Sequence, residues 1–238
     1  MTLPHVVLSC AMSLDGYIDD SSDTRLLLSN PADFDRVDEV RSSCDAILIG
    51  GETLRRDNPR LLVNSPERRS ARKSRGLPEY PLKITLTRSG GLSRDLKFWH
   101  YGDQKLVYCP HGISRRVSDE LRGLATVVGL APAVTPRTII EDLGERGVRR
   151  LMVEGGGTIH TQFLTAGVVD ELHLAVAPFF VGDHQAPRFV NSGNYPFNPA
   201  NRMELIEARP IGDIALLVYR PSPIGSERAG GGQTATSA

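Results

Sequence analysis

Hydrophobic positions along the chain follow two rhythms. Six short runs are apolar at most positions: HVVLSCAMS (5–13), DAILIG (45–50), LKITLT (82–87), KLVYC (105–109), ATVVGL (125–130) and RRLMVE (149–154). Runs with apolar residues on both faces predict parallel strands covered on both sides. Between them the spacing becomes helical. In NPADFDRVDEVRSSC (30–44), Asn30 suits the N-cap, Pro31 the first helical position, and Asp33 and Asp35 the positive end. Phe34, Val37 and Val40 recur there at helical spacing and are predicted to face the core. A weaker helix is predicted over 113–124. TPRTIIEDLGERG (135–147) offers Thr135 as cap and Pro136 behind it. The segment after Gly157 places Ile159, Phe163 and Leu164 on one side and stops at Gly167.

This alternation predicts an α/β fold with right-handed crossovers and a mainly parallel central sheet carrying helices on both faces. The end of the chain departs from it. ELHLAVAPFFV (171–181), MELIEARPI (203–211) and DIALLVYRP (213–221) read as strands. Only Gly212 separates the last two, which predicts a C-terminal antiparallel hairpin. Residues 1–221 read as a single domain. The stretch 64–81, with five basic residues between Arg68 and Arg75 and prolines at both ends, reads as a mobile surface loop. Residues 222–238, rich in Gly, Ser, Thr and Ala, read as a disordered tail.

Composition narrows the function classes. The 238 residues are 40% hydrophobic and 24% charged, ordinary for a globular protein. Lys plus Arg and Asp plus Glu stand at 28 each, which gives no support for a nucleic-acid or anionic-membrane partner. No apolar run is long enough to span a bilayer, and the N-terminus has no signal-peptide pattern, so a cytoplasmic location is expected. Cys10, Cys44 and Cys109 form no CxxC pair, so neither a zinc site nor a disulfide framework is expected, only buried thiols.

The candidate chemistry centres on RRLMVEGGGTIHTQFL (149–164), where a strand runs through Glu154 into Gly155, Gly156 and Gly157 and then a helix. In a parallel sheet, ligands bind beyond the carboxyl ends of strands. A helix start there offers unpaired N–H groups, glycines let an anion touch the backbone, and Thr158 adds a hydroxyl. The competing reading is tight helix–strand packing that needs glycine only for close approach. Glu154 reads either as a structural hydrogen-bond partner or as a polar group at the mouth of the site. Two further strand ends repeat the theme. DAILIGGETLRRDNPRLL (45–62) brings Thr53 and Asp57, and TLTRSGGL (85–92) brings Thr87, Arg88 and Ser89, a set suited to a phosphate monoester. Asp57 also reads as an ordinary turn residue before Asn58-Pro59.

AMSLDG (11–16), DAILIGGETLRRDNPRL (45–61), LMVEGGGTIHTQFL (151–164) and VAPFFVG (176–182) occur in order, and together they resemble the pyrimidine reductase domain of riboflavin biosynthesis. In bacteria that is the C-terminal part of a bifunctional deaminase-reductase. The resemblance implies a dihydrofolate-reductase-like fold and NADPH as hydride donor. It implies a phosphorylated pyrimidine substrate, 5-amino-6-(5-phosphoribosylamino)uracil, reduced to the ribitylamino product, with no metal. It assigns Gly155, Gly156, Gly157 and Thr158 to the cofactor pyrophosphate. Thr53, Ala11, Ser13 and Gly16 fall beside its nicotinamide half, and Thr87, Arg88 and Ser89 near its 2′-phosphate. Asp57 and Glu154 become catalytic candidates, with Asp57 protonating or orienting the reacting amine. Ser13, Ser29, Asn30, Asp57 and Leu61 become substrate-side residues. Homodimers are implied, with strands 171–181 and 213–219 as the interface.

Three positions depart from the family pattern. Ser9 and Tyr17 stand where basic residues are common, and Asn64 stands where a basic residue often follows DNPRL. Arg55, Arg56, Arg60 and the basic stretch 68–75 are candidates to compensate. The deaminase signature, HxE followed by PCxxC, is missing, so a stand-alone reductase is expected. Two alternatives stand beside it: a related reductase of a pterin, dihydrofolate-like or secondary-metabolite substrate, and a nucleotide-binding protein without turnover.

Overall fold

The computed structural model describes residues 2–22 and 24–221. Nine strands, β1 (His5–Ser13), β2 (Ala46–Gly50), β3 (Leu82–Leu86), β4 (Lys105–Pro110), β5 (Thr126–Leu130), β6 (Arg150–Gly155), β7 (Glu171–Ala177), β8 (Glu204–Ile211) and β9 (Ile214–Arg220), form one sheet. Their order is β5-β4-β3-β2-β6-β1-β7-β9-β8. The pairings from β5 across to β7 are parallel, and β9 pairs antiparallel with both β7 and β8. The α/β, mainly parallel architecture and the C-terminal hairpin therefore agree with the sequence. β7 ends at Ala177, short of the predicted residue 181, because Pro178 has no N–H to continue the ladder.

The two-sided apolar runs work because side chains alternate across the strands. Leu106 and Tyr108 of β4, Ala46 and Leu48 of β2, and Leu151 and Val153 of β6 enter one core. Val107, Cys109, Ile47, Ile49 and Met152, on the same strands, enter the other. The first core is closed by α6 (Pro136–Glu145) and α7 (Gly157–Thr165), through Ile139, Leu143, Ile159 and Phe163. The second is closed by α2 (Gly51–Asp57), α4 (Lys97–His100) and α5 (Ser114–Leu121), through Leu54, Phe98, Val117 and Leu121. All three cysteines are free and buried. No helix among the described residues is long and apolar enough to cross a membrane.

Two expectations are corrected. The stretch 64–81 contains a helix, α3 (Pro66–Ser74). Ser65 caps it by accepting from the Arg68 N–H, with Pro66 in the first turn. Its arginines are structural. Arg68 pairs with Asp35 and Asp38 of α1 (Pro31–Ser43). The wholly buried Arg72 donates to the carbonyls of Pro78, Ser42 and Cys44 at 2.9, 2.9 and 2.6 Å. The second correction concerns α1. Asn30 caps it as expected, but Phe34 is 43% exposed, while Asp33, Arg36 and Asp38 are buried. Val37 and Val40 are only partly buried, packed against the second core. The tail expected at 222–238 lies outside the described residues.

Arg72→Met leaves three carbonyls short of a donor in the buried junction of α1 and α3. Urea denaturation is expected to show a loss of roughly 2–3 kcal/mol. A loss below about 0.5 kcal/mol would mean that surface ion pairs hold α3 instead.

Candidate active site

Because β6 inserts between β1 and β2, the carboxyl ends of β3, β2, β6 and β1 lie side by side. Beyond them opens a cleft of ≈ 870 Å³. That is toward the upper end of the roughly 300–1,000 Å³ of ordinary ligand sites. It gathers most of the residues singled out in the sequence: Ala11, Ser29, Thr53, Asp57, Leu61, Thr87, Arg88, Ser89, Glu154, Gly156, Gly157 and Thr158 all line it. Ser13, Gly16, Asn30 and Gly155 do not.

The local structural roles of those four explain their absence. Ser13 Oγ donates to Asp15 at 2.5 Å and accepts from the Tyr17 N–H at 3.0 Å, so it closes the turn after β1. Gly16 sits in that turn at φ +83°. Asn30 caps α1 and donates to the Ile211 carbonyl at 2.7 Å and to Asp213 at 2.8 Å, fastening α1 to the C-terminal hairpin. Gly155 bends the chain at φ +106°, and a Cβ there would fall 2.6 Å from His160 Nε2.

The three glycines divide between the two readings. A Cβ on Gly157 would lie 2.2 Å from the Arg188 carbonyl, so Gly155 and Gly157 serve close packing. Gly156 serves the cleft. Its missing Cβ would approach only Thr53 Oγ1, at 3.0 Å, and Ile18. The helix that follows has no side-chain cap, so the first N–H groups of α7 remain open at the cleft. Behind this bend, burial holds the His160 pKa down to about 4, and His160 Nδ1 lies 3.0 Å from the Phe189 carbonyl. A neutral imidazole thus backs the glycine bend.

Glu154 and Asp57 have opposite surroundings. Arg41 Nε and Nη2 donate to the two oxygens of Glu154 at 2.7 Å each, and Nη1 donates to the Leu62 carbonyl at 3.0 Å. Burial alone would lower the Arg41 pKa, but the Glu154 charge outweighs it and raises it. Each Glu154 oxygen accepts one hydrogen bond from Arg41, which fits the structural-partner reading of this catalytic candidate. Asp57 ends α2 beside Asn58, which takes the left-handed conformation at φ 43°. Its carboxyl has no hydrogen-bond partner among the described residues, and partial burial raises its pKa against the pull of Arg25. A cleft carboxyl with a raised pKa is poised for proton transfer.

At the third strand end, Thr87 is not free to hold a ligand through its hydroxyl. It donates to the Gly90 carbonyl at 3.1 Å and accepts from the Gly90 N–H at 2.9 Å. That turn presents the exposed Arg88 and Ser89. Of the departures, Ser9 and Asn64 line the cleft and Tyr17 does not. Tyr17 is buried and carries Arg188, whose guanidinium stacks 4.3 Å over the ring and donates to the phenol oxygen at 2.7 Å. Arg188 also borders the cleft, its carbonyl lying against Gly157 while its guanidinium is held on Tyr17. Arg55, Arg56 and Arg60 also line the cleft, although Arg56 is paired with Asp19 at 3.0 Å. The arginines of α3 do not line it, so they do not compensate.

Sequence reasoning missed Arg25, Asp33, Arg36, Arg41 and Lys83. Buried Lys83 donates to the carbonyls of Phe98 and Arg60, the latter at 2.9 Å. Burial, aided by Lys105, pulls its pKa down to about 7. It anchors the segment in which Leu61 takes φ 52°. The i,i+3 spacing of Asp33 and Arg36 was the one signal available, and the stronger apolar spacing of Phe34, Val37 and Val40 masked it.

An α/β sheet with its cleft across a strand-order switch and an uncapped helix at its centre places this chain among the open-sheet α/β proteins, whose ligand sites lie beyond the carboxyl ends of the strands. Within that class the chain belongs to the family described as the RibD C-terminal domain, which matches residues 4–217. A 2,5-diamino-6-ribosylamino-4(3H)-pyrimidinone 5′-phosphate reductase of Archaeoglobus fulgidus is 32% identical over 185 residues, 77% of this chain and 84% of that protein. The protein of the same name from Methanothermobacter thermautotrophicus is 29% identical, covering 91% of this chain and 97% of that one. Among solved structures, a pyrimidine reductase-like protein from Corynebacterium diphtheriae superposes with a TM-score of 0.76 at 22% identity, covering 92% of both chains. That likeness shows the dihydrofolate-reductase-like fold.

The Arg41–Glu154 pair gives a direct test of the structural-partner reading. Glu154→Leu leaves a shielded guanidinium without its counter-ion, and a loss of about 3 kcal/mol is expected in denaturation. Arg41→Met made together with Glu154→Leu should recover most of that loss. A double variant as unstable as the single one would show that the pair is not what joins α1 to β6.

Proposed function

We propose that the chain is an NADPH-dependent reductase of riboflavin biosynthesis. It reduces a ribosylaminopyrimidine 5′-phosphate, either 5-amino-6-(5-phosphoribosylamino)uracil or its 2-amino counterpart, to the ribitylamino product. The observation that carries this reading is the unpartnered, raised-pKa carboxyl of Asp57 in the same cleft as the open start of α7. The names of the Archaeoglobus and Methanothermobacter relatives support the substrate class.

The cleft fits the dinucleotide. Gly156 lacks the Cβ that would crowd Thr53, and the open N–H groups of α7 suit a pyrophosphate. Thr53 and Thr158 supply hydroxyls, and Arg88 with Ser89 provides the charge and hydroxyl that suit a 2′-phosphate. When bound, NADPH would supply a hydride for the sugar carbon of the ring-opened, imine-like substrate. Asp57 gives the proton to the adjacent nitrogen, so the C=N bond becomes CH–NH. Ser29 and Leu61 flank the substrate side. Glu154, through Arg41, fixes α1 and the Leu62 carbonyl as one wall of the site.

A reductase without a fused deaminase is supported by the Methanothermobacter relative, 97% of which aligns with this chain. Residues 1–221 form its single domain. A homodimer through the C-terminal strands is supported by Leu205 and Ile206 on β8, which are 52% and 44% exposed.

The test is nicotinamide oxidation, followed by absorbance, with the pyrimidine phosphate and separately with dihydrofolate. Turnover of the pyrimidine alone is expected, and turnover of dihydrofolate alone would move the protein to the pterin reading. Binding of NADPH without oxidation by either would leave a nucleotide-binding protein. Asp57→Asn should lower kcat by about 10²–10⁴ while NADPH affinity stays within several-fold. A bulky residue at position 156 should do the reverse and weaken NADPH binding. The proton donor works in its protonated form, so kcat should fall as pH rises through the raised Asp57 pKa. A pH profile for Asp57→Asn that keeps this limb would remove Asp57 from the mechanism.

A further inference from the structure

The turn after β3 is held from behind by helix α5. Its front carries Arg88 and Ser89, which are exposed and line the cleft. The next two residues, Gly90 and Gly91, take φ +76° and +69°. Two successive glycines leave a backbone free to swing, so such a turn needs restraint before it can hold a side chain in one direction. Thr87 supplies part of that restraint through the Gly90 N–H and carbonyl. The rest comes from α5. Arg116 Nη2 donates to the Ser89 carbonyl at 2.7 Å. Glu120 Oε2 accepts from the Gly91 N–H at 3.1 Å. Arg116 and Glu120 are themselves paired at 3.4 Å. The fit is close, since a Cβ on Gly90 would fall 2.9 Å from Glu120 Oε2.

Neither Arg116 nor Glu120 lines the cleft. Glu120 also has the wrong sign for its place. A carboxylate behind a turn that meets a phosphate repels that phosphate. Its presence is accounted for when the order it gives the turn outweighs the repulsion. Taking the NADPH-dependent function proposed above as its basis, we infer that Glu120 and Arg116 are positioning residues that set the choice between NADPH and NADH, by holding Arg88 and Ser89 where a 2′-phosphate meets them. NADH has only a hydroxyl at that carbon, so it has no phosphate for the ordered turn to hold. Charge and position therefore predict opposite signs for Glu120. Removing a negative charge by itself strengthens NADPH binding, whereas releasing the turn weakens it and leaves NADH unaffected.

The experiment titrates the full chain with NADPH and, separately, with NADH, and reads Kd from nicotinamide fluorescence with no pyrimidine present. The wild-type protein should bind NADPH at least about 10-fold more tightly than NADH. Glu120→Ala should weaken NADPH by about 3- to 10-fold while NADH stays within about twofold. With the pyrimidine phosphate added and NADPH saturating, kcat of Glu120→Ala should match the wild type, so the loss falls in KM for NADPH. Unchanged or tighter NADPH binding in Glu120→Ala overturns the inference. A loss shared equally by NADH, or one carried by kcat, overturns it too. A wild-type protein that binds both cofactors alike does the same without any variant, and it leaves the reductase function standing. If Glu120→Ala does not fold, Arg116→Met decides in its place: weaker NADPH alone supports the inference, and equal loss on both cofactors overturns it. Binding of neither cofactor removes the proposed function, and this inference with it.

Discussion

The end of β6 is the constraint on which the site depends. This strand enters the sheet late, between two strands laid down earlier, and its last residues must turn into α7 with almost no room. A Cβ at Gly157 would lie 2.2 Å from the Arg188 carbonyl, and one at Gly155 would lie 2.6 Å from the His160 ring. Only a backbone without side chains makes that turn. The turn sets the start of α7 against Thr53, and the residue before it, Glu154, fixes α1 through Arg41. Under the proposed function, the cofactor side and the substrate side are thus both set from one strand end.

Charge around this point is arranged locally, although the whole chain is balanced at 28 basic and 28 acidic residues. Some arginines are consumed by structure: Arg72 by carbonyls, Arg68 by Asp35 and Asp38, and Arg41 by Glu154. Others, among them Arg25, Arg60 and Arg88, line the cleft without an ion-pair partner among the described residues. A cleft of this kind attracts anions even in a neutral protein. Within it Asp57 stands apart, because partial burial disfavours its charged form and no neighbour donates to it.

The strands were legible because burial on both faces leaves a dense apolar signal, and the helix caps at Asn30 and Thr135 because capping is local chemistry. The cleft's floor was legible for a related reason, since strand ends carrying glycine and hydroxyl residues announce themselves. What escaped was tertiary. Helix α3 has no apolar periodicity, and it folds because Arg72 finds carbonyls brought together only in the folded chain. The part of α1 that carries Asp33 and Arg36 is polar where it borders the cleft, which local spacing does not encode. The hydroxyl of Thr87 looked free in the sequence, yet it closes its own turn. Glu154 looked chemical, yet its partner lies more than a hundred residues away.

Under the proposed function, a hydride passes within this cleft from a nicotinamide lying beyond the ends of β1, β2 and β6. The most direct measurement follows deuterium from NADPH labelled at the nicotinamide C4, with the pyrimidine phosphate as acceptor and mass spectrometry or NMR of the product. One deuterium per turnover at the first carbon of the ribityl chain is the predicted result. A product that carries none from either face of the labelled cofactor would contradict the account.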